Sequence, residues 1–284
     1  MCLVHPVGGD IQAYRALVSA LDPGPTVCLI ADPALRHTDS ARVGSGPAHL
    51  DSGPGLPAPG DTAPDDTTLD DTEPSNTKPG DTDRPAWTLT ERARRYHAAL
   101  QARFPHGTWR WRLAGWSFGA WVAQAMAAEA EAAGRPADAL YLLDPPPPDA
   151  GPRLGGYDEG QLQEVFAREL NQNASGDPLG EGPQAYAKRL AQCCRTNLTS
   201  MRDHRPPRLT RTPSTLWLAA RSVSGLPAPE PPEAQLGAWR TRLPEPAEGH
   251  VVDTTHYGLV QPPYVKDVAD AINAATSRQS PAAD

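Results

Sequence analysis

The sequence predicts an α/β fold: a mostly parallel central sheet with helices on both faces and an inserted helical lid. Three observations carry this. Short apolar runs alternate with longer segments of helical periodicity, the order a parallel sheet demands because each strand needs a crossover before the next. A glycine-flanked serine, Gly115-Trp116-Ser117-Phe118-Gly119, stands where a strand meets a long helix. From Gly155 to Arg208 the pattern is helical alone, with no strand to feed the sheet.

The elements follow in order. Leu3 to His5 is a short apolar strand ending at Pro6-Val7-Gly8-Gly9. Ile11, Tyr14, Leu17, Val18 and Leu21 recur at helical spacing after it. Thr26 to Ala31 is β-branched and apolar, a buried-strand signal. Thr90 to Phe104 reads as a helix, capped by Thr90 and stopped by Pro105. Trp109 to Ala114 is a strand that runs into Gly115, and Phe118 to Ala133 is an alanine-rich helix closed by Gly134. Ala139 to Leu143 and Thr215 to Ala220 are strands. Gln161 to Leu170 and Ala185 to Met201, between those two strands, are the expected lid helices. Val251 and Val252 mark a last strand that His250 begins, and Val265 to Ala275 a final helix.

Composition narrows the function class. The 284 residues carry a formal charge of −8, which argues against a nucleic-acid binder and its basic face. Four cysteines exclude a disulfide-dense scaffold. No apolar run approaches the roughly 18–20 residues of a membrane span, and the N-terminus lacks the basic and apolar stretches of a signal peptide, so a cytoplasmic location is expected. Residues 51–83 hold nine acids against Lys78, a net −8, so the rest of the chain is balanced. Asp-Thr or Asn-Thr pairs recur there every five residues from Asp61 to Asp81, with Leu69 the one large apolar side chain in the array. Nothing in that array builds a core, and the segment from about 38 to 85 is expected to be a disordered, self-repelling insertion.

The chemistry concentrates at a few positions. Gly-x-Ser-x-Gly between strand and helix is the pattern of a nucleophile elbow: the serine takes a sharp turn and the flanking glycines let strand and helix pack closely around it. Ser117 is therefore the candidate nucleophile. A serine needs a base at neutral pH, and the base needs an orienting carboxylate. Asp144 ends the apolar strand Tyr141-Leu142-Leu143 and fits the carboxylate; the bland reading is that it merely starts the Pro145–Pro148 turn. His256 follows the last strand and fits the base, whereas His250 stands at that strand's other end. The N–H of Phe118 at the helix start and that of Val7 in the first glycine-rich loop are the candidate oxyanion donors. Cys193-Cys194 has no second Cys or His pair at zinc-ligand spacing, and no phosphate loop or Gly-x-Gly-x-x-Gly appears, so neither a metal nor a nucleotide cofactor is expected.

These residues resemble the thioesterase domains that terminate nonribosomal peptide and polyketide synthetases, members of the α/β-hydrolase fold. Leu3-Val4-His5-Pro6-Val7-Gly8-Gly9 resembles that family's first strand and oxyanion loop. Leu113 to Ala120 is similar to its elbow, with Ala120 where glycine is more usual. Leu142-Leu143-Asp144 resembles its acid and His256-Tyr257-Gly258-Leu259 its histidine loop. The likeness spans nearly the whole chain apart from the acidic insertion and is weakest in the lid, about 155–208. It implies one thioesterase domain over residues 1–284 that releases an acyl, peptidyl or polyketide chain from the phosphopantetheine of a carrier protein. The release runs through an acyl-serine intermediate, by hydrolysis or cyclisation. Trp116 in the elbow favours the product-releasing domains over the separate editing thioesterases. A general carboxylesterase with the same triad, or an inactive module docking a basic partner, are the competing readings. The chain opens at the first strand, which fits an excised domain of a larger protein as well as a stand-alone one.

Overall fold

The computed structural model describes residues 1–23, 26–35, 87–104, 111–172, 182–221 and 230–279. The acidic insertion expected over about 38–85 lies outside these, as do Trp109 and Arg110 of the expected third strand.

Six strands, β1 (Cys2–Val4), β2 (Cys28–Ile30), β3 (Arg112–Trp116), β4 (Ala139–Leu143), β5 (Ser214–Arg221) and β6 (Glu248–Thr255), form one sheet in the order β2-β1-β3-β4-β5-β6. Every neighbouring pair is parallel. Between them run α1 (Arg15–Ala20), α2 (Leu89–Arg103), α3 (Phe118–Ala132), α4 (Gly151–Leu154), α5 (Glu159–Gln172), α6 (Pro183–Met201), α7 (Pro232–Arg240) and, at the end, α8 (Val265–Gln279).

A parallel sheet is buried on both faces, and alternate residues of one strand therefore serve two cores. Leu140 and Leu142 of β4, with Val4, Leu113, Leu216 and Leu218, pack beneath α2 and α3 in a cluster with Tyr96, Trp121 and Met126. Ala139, Tyr141 and Leu143 of the same strand, with Leu3, Ala114 and Trp116, meet Leu17 of α1 and Val268, Ala269 and Ile272 of α8 on the other face. α3 is buried nearly all round, from Phe118 to Ala127, which explains its alanine content: small side chains let it lie close on the sheet.

Several boundaries differ from expectation for local reasons. The first helical segment breaks into a 3-10 turn, Gln12–Tyr14, and a short α1. α2 is capped by Thr88 rather than Thr90, because Glu91 completes a capping box: the Thr88 hydroxyl accepts from Glu91 N, and the Glu91 carboxylate accepts from Thr88 N at 2.7 Å. β6 begins at Glu248, so His250 lies within the strand, its ring stacked on Trp217 at 5.2 Å, instead of starting it. α7, which the sequence pattern did not reveal, is short and opens on Pro232. Among the described residues, no strand falls between β4 and β5; α4, α5 and α6 fill that stretch.

The strand order reverses at β1: the chain passes from β1 outward to β2, then returns to the other side of β1 for β3. In open parallel sheets the crevice at such a switch, at the carboxyl ends of the strands, is where ligands bind. Val4 and Gly115 are register partners there, so the loops leaving β1 and β3 start side by side.

Candidate active site

The elbow is built by two glycines and one strained serine. Ser117 holds φ +58° and ψ −125°, a left-handed conformation costly for a residue with a Cβ and stored only where the surroundings enforce it. The enforcing contacts are close. A Cβ on Gly115 would lie 2.1 Å from the Gly119 carbonyl oxygen, and one on Gly119 would lie 2.4 Å from that of Val4 and 2.6 Å from that of His5. The start of α3 is thus pressed against the ends of both β3 and β1. Ser117 N donates to Leu143 O at 2.9 Å, which carries the β3–β4 ladder through the turn and holds the serine beside the end of β4.

Asp144 comes next along β4 and, among the described residues, is the other non-glycine residue with positive φ, at +43°. Its N–H donates to Trp217 O at 2.7 Å and its Oδ1 accepts from Ala219 N at 2.9 Å, so β5 clamps both backbone and side chain. Its Oδ2 lies 2.6 Å from His256 Nδ1. A proton on Nδ1 donated to that carboxylate leaves the lone pair on Nε2 free to act as a base. The imidazole and the carboxylate are 23% and 14% exposed, shielded but reachable from the crevice.

Trp116 ties the histidine to the elbow. Its indole stacks on the His256 ring at 4.7 Å and its Nε1 donates to His256 O at 3.1 Å. The residue preceding the serine therefore fixes the loop that carries the histidine. Nothing in the Gly-x-Ser-x-Gly pattern announces this role. Among the described residues no hydrogen bond joins the Ser117 hydroxyl to His256; such bonds commonly close only once substrate is bound.

The two oxyanion candidates belong to neighbouring segments, the loop after β1 and the start of α3, where the His5 ring stacks on Phe118 at 5.7 Å. The N–H groups of Phe118 and Gly119 open α3, where no intrahelical acceptor exists, while Ala120 N returns to Ser117 O at 3.1 Å. The loop after β1 is closed by Gly9 N donating to Pro6 O at 2.9 Å and by Asp32 N donating to Gly9 O at 2.9 Å. Gly9 is required at φ +82°, where a Cβ would also lie 2.7 Å from that of Asp32. The phenol of Tyr14 accepts from Trp116 N at 2.7 Å and donates to Val4 O at 2.6 Å, bridging the ends of β1 and β3 just below both loops.

Behind the loop lies a buried polar chain that sequence reasoning missed. His5 Nδ1 donates to Pro6 O at 2.8 Å, which leaves Nε2 to accept from the Tyr96 hydroxyl, also at 2.8 Å. Arg92 Nη1 donates to Tyr96 at 3.0 Å and to Asp32 Oδ2 at 2.9 Å. Asn197 Nδ2 donates to the same carboxylate oxygen at 3.1 Å and to Val7 O at 2.9 Å. Burial, joined by the Arg92 charge and opposed by that of Asp32, lowers the His5 pKa to about 4, so the ring is neutral. Burial pushes the Asp32 pKa up, but His5, Arg92 and the donors from Ala34 and Asn197 outweigh it and hold the carboxyl below its ordinary value.

Comparison with known proteins gives a consistent picture. The Thioesterase domain family matches residues 74–276. No curated protein matches the chain. Among solved structures, the NocB thioesterase domain in covalent complex with a fluorophosphonate nocardicin G analog is 21% identical, with a TM-score of 0.58 over 97% of this chain and 93% of that one. RedJ is 19% identical, with a TM-score of 0.59 over 96% and 91%. The chain also matches one fifth of AB3403, a four-domain nonribosomal peptide synthetase, covering 99% of this chain and 20% of that one at 16% identity and a TM-score of 0.64. At these identities the likeness establishes the fold, the α/β-hydrolase arrangement of these domains.

Proposed function

Because the chain belongs to the Thioesterase domain family of hydrolases and resembles in fold the chain-releasing domains of peptide and polyketide synthetases, we propose that it releases an acyl, peptidyl or polyketide chain from the phosphopantetheine of a carrier protein. The observation that carries this reading is the 2.6 Å bond between His256 and Asp144 beside a serine held at positive φ on an elbow.

In this reading Ser117 Oγ attacks the thioester carbonyl carbon as His256 Nε2 takes the hydroxyl proton. Asp144 holds the imidazole in the required tautomer and stabilises the imidazolium. The carbonyl oxygen becomes an oxyanion facing the N–H groups of Phe118 and Val7, where the α3 N-terminus adds a favourable partial charge. The C–S bond breaks, the departing thiolate takes the proton from His256, and the carrier thiol leaves an ester on Ser117. Water, or an amine or hydroxyl of the chain itself, then attacks that ester with His256 again as base, freeing the acid or the ring and restoring the serine. The stretch from α4 to α6 is the covering lid that decides how much water reaches this second step.

The test is direct. Ser117→Ala is expected to abolish both covalent labelling by a fluorophosphonate and acyl release from a loaded carrier protein. Turnover that survives the substitution means another nucleophile. A strong preference for simple esters over carrier-bound thioesters assigns the same triad to a carboxylesterase instead.

A further inference from the structure

α6 crosses behind the loop that follows β1 and is bonded to it at both ends. Near its C-terminal half, Asn197 Nδ2 donates to Val7 O at 2.9 Å; three turns earlier on the same face, the Tyr186 hydroxyl donates to Asp10 Oδ2 at 2.5 Å. Asp10 closes the far end of the loop, its Oδ1 accepting from Gln12 N at 2.9 Å. All of these side chains are buried, Asn197 completely.

The arrangement determines where one N–H points. The Val7 N–H belongs to the Pro6–Val7 peptide, a rigid trans plane in which the Pro6 carbonyl points the opposite way. That carbonyl is held from behind by His5 Nδ1 and by Gly9 N. The next plane, Val7–Gly8, is held through Val7 O by Asn197. With both planes flanking Val7 tied back, its N–H has one direction left. Asn197 suits this task because a single amide nitrogen supplies two protons, one to Asp32, anchored in turn by Arg92 of α2, and one to Val7 O. Its Oδ1, though buried, finds no hydrogen-bond donor among the described residues, a cost the site accepts while both donors remain satisfied.

We propose that Asn197 and Tyr186 are positioning residues for the reaction: through them α6, a helix of the lid, holds the loop after β1 so that the Val7 N–H meets the oxyanion. The lid helix thereby takes part in stabilising the transition state as well as covering the site. This rests on the thioesterase reading above.

The test compares the full chain with its Asn197→Ala and Tyr186→Phe variants. Two probes serve, the rate of Ser117 labelling by a fluorophosphonate reporter and turnover of S-octanoyl-N-acetylcysteamine. Misplacing an oxyanion donor lowers the chemical step and spares ground-state binding. Asn197→Ala is expected to lower kcat and the labelling rate together by roughly 10- to 100-fold, with KM near the wild-type value. Tyr186→Phe, which removes one oxygen and is the milder change for folding, should shift both rates in the same direction by less, and it decides the matter if Asn197→Ala does not fold. Wild-type kcat in the folded variants, or a loss confined to KM, overturns the proposal while leaving the thioesterase reading intact. A wild-type chain that neither labels at Ser117 nor turns over the thioester overturns both.

Discussion

Asp144 combines two properties rarely found in one residue: a left-handed backbone, and a carboxylate clamped by a neighbouring strand on one oxygen and by an imidazole on the other. Replacing it by asparagine keeps the size, but with the amide oxygen held by Ala219 N its NH2 faces His256 Nδ1, favouring the tautomer whose Nε2 carries the proton and is no base. Asp144→Asn is therefore expected to lower kcat by on the order of 10³- to 10⁴-fold with little change in fold, read by turnover alongside thermal melting. A wild-type rate in this variant removes Asp144 from the mechanism. At this scale the sequence marks its candidates because Ser117, Asp144 and His256 each stand where a strand signal ends, and the structure brings the side chains of Asp144 and His256 to within 2.6 Å. It was silent on Trp116 as the histidine's support and on Asn197, since a stacked indole and a buried amide look in sequence like ordinary core and helix residues.

Among elements, α3 lies close against the strand ends. A Cβ on Gly119 meets two backbone oxygens, of Val4 and His5, and neither is the tip of a flexible side chain that swings away. Gly119→Ala therefore has to push α3 off β1, and is expected to destabilise the fold by at least ~3 kcal/mol, measured by urea unfolding. Gly237→Ala in α7, where nothing lies within 4 Å of the added Cβ, is the matched control and should be neutral or slightly stabilising. The sequence placed α3, β4 and β5 nearly to the residue, because their apolar runs are continuous and their glycines punctuate them. It misplaced the α2 cap by two residues although Thr88 and Glu91 stand at capping-box spacing, and it passed over α7, whose nine residues span only two turns of periodicity.

Across the whole molecule, buried titratable groups make the fold acid-sensitive in two stages. Burial lowers the pKa of both His5 and His204 to about 4, with adjacent arginines adding to it. The unfolded chain takes up these protons near the usual histidine value of about 6.5, whereas the native state refuses them. Stability therefore falls as pH drops from about 6.5 towards 4. Glu131 adds a second stage. Burial pushes its pKa up, but the backbone N–H groups of Thr210, Arg211 and Thr212 and the Thr212 side chain outweigh this and hold it down to about 2. Its contribution is intact above the ordinary carboxylate range and is lost as pH falls towards 2. Urea midpoints followed against pH should decline through both windows, and Glu131→Gln should lessen the decline in the lower one, to which Asp32 also contributes, and leave the upper one unchanged.

What the amino-acid order determined by itself is the alternation of strands and helices, and hence which polar residues end up at the carboxyl edge of a parallel sheet. Periodicity and punctuation are local properties, readable within a dozen residues. What only the tertiary structure decided is which buried groups meet: Asn197 reaches Val7 O across 190 positions of chain, and Trp116 reaches His256 across 140. Those pairings depend on how helices lie against the sheet, and packing of that kind is a property of assembled surfaces that no short stretch of sequence carries.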